Sequence, residues 1–286
     1  MLAIVVIVGA GWWGYRTVAS RIQAIERTDA ATALIESADA VVVQADSVIR
    51  EKVTPELADA ALGASKRIPA ATSDLRKAVR LLDEARPLGA AGDQHRIDLL
   101  ARAAEARIRM LEQAPKVLDL NVSASEALPM AREAWKNVLA ADKLSDKAVV
   151  SYNKLTKVGV KASNSYNKQA ASALASARQK FEAADRSFSE APFEQYLAYV
   201  DARIRLNDLS QKSDAAWLKG DVKTANAVIK TYNIEDKKAV ALAKLLPASP
   251  DQAIADAYEL AAKAATDAYY KAREAATKAD ASLRKQ

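Results

Sequence analysis

From Ile22 to Ile49 the side chains able to pack return at steps of three, four and seven: Ile22, Ile25, Thr32, Ile35, Ala38, Val42, Ala45 and Ile49. That spacing is one stripe of an α-helix. Thr32 is its single polar member, and its methyl group can still pack. Nowhere does the chain show the sustained alternation, bounded by turn residues, that marks a strand. Even Val41, Val42 and Val43, β-branched and consecutive, fall inside the helical pattern. Alanine fills 64 of the 286 positions; it is the strongest helix former and has no side-chain entropy to lose. Only five glycines lie beyond residue 20. The expected fold class is all-α, made of long helices with narrow cores, because large apolar residues are few.

Proline and glycine mark the expected breaks. Pro55, Pro69, Pro87, Pro115, Pro129 and Pro192 should each start or end a helix, since the ring removes a backbone donor and clashes with the preceding turn. Leu246-Pro247-Ala248-Ser249-Pro250 reads as a turn. Gly220-Asp221 reads as a helix-ending glycine followed by an N-cap acid, and Gly92-Asp93 reads the same way.

Between these breaks the chain resembles itself. Leu100–Arg109 matches Tyr196–Arg205, both ending in Ala-Arg-Ile-Arg with an acid just before it. Asp146-Lys147-Ala148-Val149 resembles Asp236-Lys237-Lys238-Ala239-Val240, and Phe181-Glu182-Ala183-Ala184 falls opposite Arg273-Glu274-Ala275-Ala276. The offsets are 96, 90 and 92 residues. Such spacing suggests tandem helical bundles, spectrin-like three-helix repeats among the possibilities, that bury their stripes on one another. The expected organisation is an anchor at 1–19 and helical units at 20–92, 93–191 and 192–286.

Residues 2–19 differ from everything after them. Leu2, Ile4, Val5, Val6, Ile7 and Val8 form an apolar run, Trp12, Trp13 and Tyr15 follow, and Arg16 is the one charge. Crossing a hydrocarbon core takes about 20 apolar residues, with about 17 as the lower limit. The segment is therefore a marginal span. Its aromatic rings cluster where rings prefer the headgroup level, and glycines such as Gly9, Gly11 and Gly14 are common in membrane helices. A cleaved signal peptide is the rival, with Val18-Ala19-Ser20 as a small-residue site, but the basic n-region is missing. A buried core helix is the other. The favoured reading is an uncleaved single-pass anchor in the lipid bilayer. No Lys or Arg precedes it, while Arg16, Arg21 and Arg27 follow, which places the body in the cytoplasm by the positive-inside rule. Single N-terminal bacterial anchors more often send the body outward. An extracytoplasmic body is expected, with a cytoplasmic one as the close alternative. In architecture, with one N-terminal span and spectrin-like bundles, the chain resembles the septation-ring regulators of Gram-positive bacteria; no motif carries the likeness.

The net charge of +6 is concentrated. Lys136, Lys143, Lys147, Lys154, Lys157, Lys161 and Lys168 would lie within an arc of about 80° on one straight helix, at 100° per residue. Trp135, Val138, Leu144, Val149, Tyr152, Leu155, Val160 and Tyr166 fall on the other side. Charge on a helix usually just faces water. The sharper reading is a ridge that docks an anionic surface: acidic lipid headgroups, a cell-wall polyanion, nucleic acid or an acidic protein. The face has few arginines and no interleaved aromatics, so sequence-specific nucleic-acid recognition is not expected. If the repeat holds, the helix breaks near Gly159 and divides the lysines.

Catalytic patterns are missing. Cysteine is absent and His95 is the single histidine. No zinc spacing, phosphate-binding glycine loop or nucleophile elbow occurs. Carboxylates lie beside Lys and Arg at helical spacing, which suits ion pairs. No metal, cofactor or enzymatic activity is expected. Asn121-Val122-Ser123 fits a glycosylation sequon. The function expected is a membrane-anchored, non-enzymatic scaffold or adaptor at the membrane or cell envelope, with a protein partner or self-association and an anionic surface as partners. The alternative is an extracytoplasmic ligand-binding or sensor-like helical bundle. That alternative needs an aromatic-lined pocket between helices, with Trp135, Tyr152, Tyr166, Trp217, Tyr269 and Tyr270 as candidates.

Overall fold

Seven α-helices succeed one another in the computed structural model, with no strand among the described residues: α1 (Leu2–Arg50), α2 (Leu57–Ala85), α3 (Ala91–Tyr152), α4 (Lys157–Ser187), α5 (Phe193–Leu218), α6 (Val222–Ala243) and α7 (Pro250–Leu283). The structure describes the backbone of residues 2–285 and the side chains of residues 18–285. The all-α expectation holds. No helix among the described residues is long and apolar enough to cross a membrane. The expected anchor, with Leu2, Ile4, Val5, Val6, Ile7, Val8, Trp12, Trp13 and Tyr15, lies outside the residues whose side chains are described.

The α1 stripe needs a shift of register. Ile35, Ala38, Ala45 and Ile49 are buried as expected, but Ile22 and Ile25 are exposed and Val42 is only half-buried. Ala24, Ala31, Val41 and Val48 take the covered positions. In an alanine-rich helix a neighbouring stripe of alanine and valine competes closely with the isoleucine one, so the register is weakly specified.

Three of the six prolines do not break a helix. Pro69 lies inside α2, and Pro115 and Pro129 lie inside α3, which runs unbroken for 62 residues. A proline inside a helix costs about 3 kcal/mol by itself. Pro69 and Pro129 are themselves exposed, so their rings stay clear of the core. Buried neighbours such as Ile68, Leu128 and Ala131 hold the helices in place. The breaks at Pro55, Pro87, Pro192 and Leu246–Pro250 appear where expected. At Gly220 the backbone is left-handed, with φ +83°, and Asp221 caps α6 by accepting from the Thr224 amide at 3.0 Å. Gly92-Asp93 differs: α3 already begins at Ala91, and Asp93 reaches back from its first turn to the Ala90 amide at 3.3 Å.

The chain divides into two compact units, not three successive ones. Unit 1 is Met1–Lys52, Asp59–Val122 and Ala262–Gln286; unit 2 is Val53–Ala58 and Ser123–Ala261. The expected boundaries fail because α3 and α7 each supply residues to both units. Unit 1 has a core of small and aliphatic residues, including Ala31, Ala38 and Ala45 of α1, Leu75 and Leu82 of α2, and Leu111 and Leu118 of α3. Unit 2 has an aromatic cluster: Phe181 stacks on Tyr196 at 5.0 Å, and Trp135 meets Tyr196 edge-on at 5.7 Å. Offset and edge-on geometries of this kind favour the ring quadrupoles.

Candidate functional site

The lysines do not share one helix. Lys136, Lys143 and Lys147 lie on α3, Lys154 lies in the turn that follows, and Lys157, Lys161 and Lys168 lie on α4. The break comes just before Gly159, because the turn closes on that residue. A Cβ there would stand 2.5 Å from the Ser151 carbonyl oxygen, so only glycine fits. Thr156 caps α4 by accepting from the Gly159 amide at 3.0 Å. All seven lysines are exposed. Lys136 is 3.8 Å from Glu133, and among the described residues the other six form no ion pair. Val150, Leu155 and Val158 stand beside them, 64%, 62% and 79% exposed. Leu155 has a left-handed backbone, φ 50°, a conformation that costs an L-residue about 1–2 kcal/mol.

Behind this turn, within unit 2, is a cavity of about 220 Å³ lined by α3, α4, α5 and α6. Asp214 of α5 is at its wall and is 1% exposed. Ser163 Oγ donates to the carboxylate at 3.0 Å and Asn167 Nδ2 at 2.9 Å. No cation pairs with it among the described residues. Burial pushes the Asp214 carboxyl up to about 6, against the two hydrogen bonds that pull it down. Ser213 Oγ is 3.2 Å from the Tyr152 hydroxyl, so neighbouring residues of α5 hold both the carboxylate and one aromatic wall. Tyr232 of α6 is a second aromatic wall, and Ala148, Val149 and Ile229 make the apolar part. Asn153 and Asn233, both exposed, stand at the mouth.

Further along the bundle Arg203 Nη2 is 2.5 Å from Asp142 Oδ1. Burial raises the Asp142 carboxyl even so, against the pull of Arg203. Unit 1 has a counterpart at the matching place in the Ala-Arg-Ile-Arg motif. Arg107 of α3 bonds Asp39 of α1 at 2.5 Å and Asp280 of α7 at 2.9 Å, with its remaining nitrogen shared between both carboxylates. Burial lowers the guanidinium pKa and the two carboxylates outweigh it, leaving it raised. Asp46 is similarly shared, 2.7 Å from Arg273 and 3.2 Å from the Tyr269 hydroxyl.

Of the aromatic candidates for a pocket, only Tyr152 lines the cavity. Trp135 belongs to the Tyr196 cluster, and Tyr269 is fully buried against Asp46. Tyr166 and Trp217 are half-buried, and Tyr270 is 5.8 Å from Tyr269. Sequence reasoning missed Asp214, Ser163, Asn167 and Tyr232. A signal existed: Ser163 and Asn167 occupy the apolar stripe of α4 that continues through Ala170, Leu174, Ala177 and Phe181. Polar residues on a core stripe need partners, and the partner is Asp214. His95 is exposed near the start of α3, as expected. Asn121 is fully buried inside α3, so the sequon is closed to modification in the folded chain. No protein-family model, curated protein or solved structure matches this chain.

Proposed function

We propose that this chain is a membrane-attached, non-enzymatic helical scaffold or adaptor that engages an anionic partner through the lysine-bearing α3–α4 hairpin of unit 2. One observation carries the reading. Residues 147–181 contain no acidic residue, and six exposed lysines of the hairpin have no ion pair among the described residues. A solvated helix face ordinarily mixes both signs at i,i+4 spacing; unit 1 does so, with Arg50–Asp46 and Arg109–Glu105 as examples. The single-sign stretch over residues 147–181 attracts polyanions and steers their approach. The exposed Val150, Leu155 and Val158 add apolar contact at the same place. Membrane attachment rests on residues 2–19, whose composition sets them apart, and the body is assigned to the extracytoplasmic side.

The full chain, held in lipid nanodiscs, should bind labelled polyphosphate, and the affinity should fall steeply with salt. Changing Lys143, Lys147, Lys154 and Lys157 together to Gln should weaken binding at least tenfold and flatten the salt dependence. Unchanged binding would reduce the hairpin to a solvated face. Attachment and compartment are read by labelling single cysteines placed in the body, in intact and permeabilised cells; the chain has no cysteine of its own. A second reading, a ligand-binding bundle, is favoured by the cavity at Asp214.

A further inference from the structure

A carboxylate that is 1% exposed and hydrogen-bonded only to neutral groups is unusual. Buried charges are normally paired, because removing one from water without a counter-charge costs several kcal/mol. The other inward-facing charges among the described residues follow that rule. Arg107 has two carboxylates, Arg203 has Asp142, and Asp46 has Arg273. Asp214 has Ser163 and Asn167. These two donors occupy part of its capacity; an ionised carboxylate offers about four lone-pair sites. Asp214 is among the residues that line the cavity.

The cavity walls specify more than charge. At about 220 Å³ it exceeds the ~150 Å³ cavity known to hold benzene. Its inner surface combines the Tyr152 and Tyr232 rings with Ala148, Val149 and Ile229. Aromatic faces attract cations, and aliphatic walls take a hydrocarbon body. No basic side chain lines it, so an anion would find only the carboxylate.

We propose that the unit 2 cavity is a binding site for a small organic ammonium ion, its cationic head on Asp214 and its hydrocarbon body against Tyr152, Tyr232 and Ile229. An ammonium supplies the missing counter-charge and donates to the free lone pairs of the carboxylate. Charge-assisted hydrogen bonds of this kind are the strong ones. Ser163 and Asn167 hold the carboxylate in place whether or not the ligand is bound. The lysines of the hairpin stay outside this site, so it stands apart from the polyanion reading and the two fail separately.

The test uses the full chain and two probes, n-butylammonium and phenethylammonium, against their neutral counterparts n-butanol and 2-phenylethanol. Calorimetry at pH 8, where Asp214 is ionised, should show the ammonium ions binding with millimolar or better Kd and the alcohols at least tenfold more weakly. Asp214→Asn should abolish the preference for the cation while leaving the helical circular dichroism spectrum intact. Ile229→Trp, which fills the apolar wall and leaves Asp214 in place, should abolish binding by obstruction; it serves as the deciding variant if Asp214→Asn does not fold. Equal binding of alcohols and ammonium ions would overturn the proposal, as would ammonium binding that survives both substitutions. No binding of either probe would overturn it too. Displacement of both probes by millimolar K⁺ or Na⁺ alone would reassign the site to a metal cation.

Discussion

Arg107 in unit 1 and Asp214 in unit 2 are both largely removed from water, and they are treated in opposite ways. Arg107 is clamped between Asp39 and Asp280, so three helices of unit 1 meet at one guanidinium. Asp214 has two neutral donors and an open cavity. Around them the two units use one device: surface arginines meet carboxylates in both, as Arg76–Glu112 and Arg86–Asp98 in unit 1 and Arg132–Asp251 and Arg178–Asp201 in unit 2. The α3–α4 hairpin of unit 2 departs from it, with six exposed lysines that form no ion pair among the described residues and Leu155 exposed in a strained turn. Paired groups fasten helices, and unpaired ones stay available to something outside the chain.

The sharpest way to break this comparison is Arg107→Met. The methionine keeps much of the packing volume but leaves Asp39 and Asp280 without their shared cation. Removing one partner of a buried ion pair costs about 3–5 kcal/mol. Both carboxylates retain some water, being 39% and 32% exposed, so the low end applies: a loss of about 3 kcal/mol in urea denaturation. A loss below about 1 kcal/mol would mean that the clamp is no fastener.

Part of this was legible in the sequence. The helical class and the capped turn at Gly220-Asp221 follow from local chemistry, whereas the break near Gly159 followed only from the internal repeat. The Ala-Arg-Ile-Arg repeat was legible too, and its first arginines, Arg107 and Arg203, both turn inward to an aspartate on another helix. What those aspartates would be was not legible, since Asp39, Asp142 and Asp280 look like any other helix-surface acid. The unbroken course of α3 through Pro115 and Pro129 was hidden for the same reason. Local propensity says that proline costs, and only packing says that the cost is met. In an alanine-rich chain the register of a stripe is weakly specified, so Val41 rather than Val42 is buried.

The second prediction tests the unpaired charge by pH. The Asp214 carboxyl titrates at about 6 in the folded chain, above its ordinary value of 3.8. The folded state therefore binds this proton more tightly than the unfolded state does. The associated stability is fully present below about pH 4 and is lost as pH rises through about 6. At 1.36 kcal/mol per unit the shift is worth at most about 3 kcal/mol; about 2 is expected, since the chain can relax around the charge. The groups facing the carboxylate, Ser163 and Asn167, do not titrate in this range. Asp214→Asn should gain about 2 kcal/mol over the parent at pH 8 and nothing at pH 4. Taking the difference between the two proteins cancels the acid titration of paired carboxylates such as Asp39 and Asp280. A variant less stable than the parent at pH 8 would show that the ionised carboxylate is already compensated, and the contrast with Arg107 would vanish.

The smallest effect concerns the turn that presents the lysines. Leu155 adopts φ 50° and is 62% exposed, so it pays for a left-handed backbone without burying its side chain. Glycine takes this conformation freely, although it gives up about 0.5–1 kcal/mol of backbone entropy on folding. Set against the left-handed cost of about 1–2 kcal/mol, Leu155→Gly should stabilise the chain by about 0.5 kcal/mol, read as a small rise in Tm. The Leu155 amide still donates to the Tyr152 carbonyl at 2.9 Å, so the turn keeps its shape. If the same substitution leaves polyphosphate binding unchanged, the leucine serves neither folding nor the polyanion. If it destabilises the chain by 1 kcal/mol or more, Leu155 is packed in solution. The comparison would then narrow to Asp214 and the lysines.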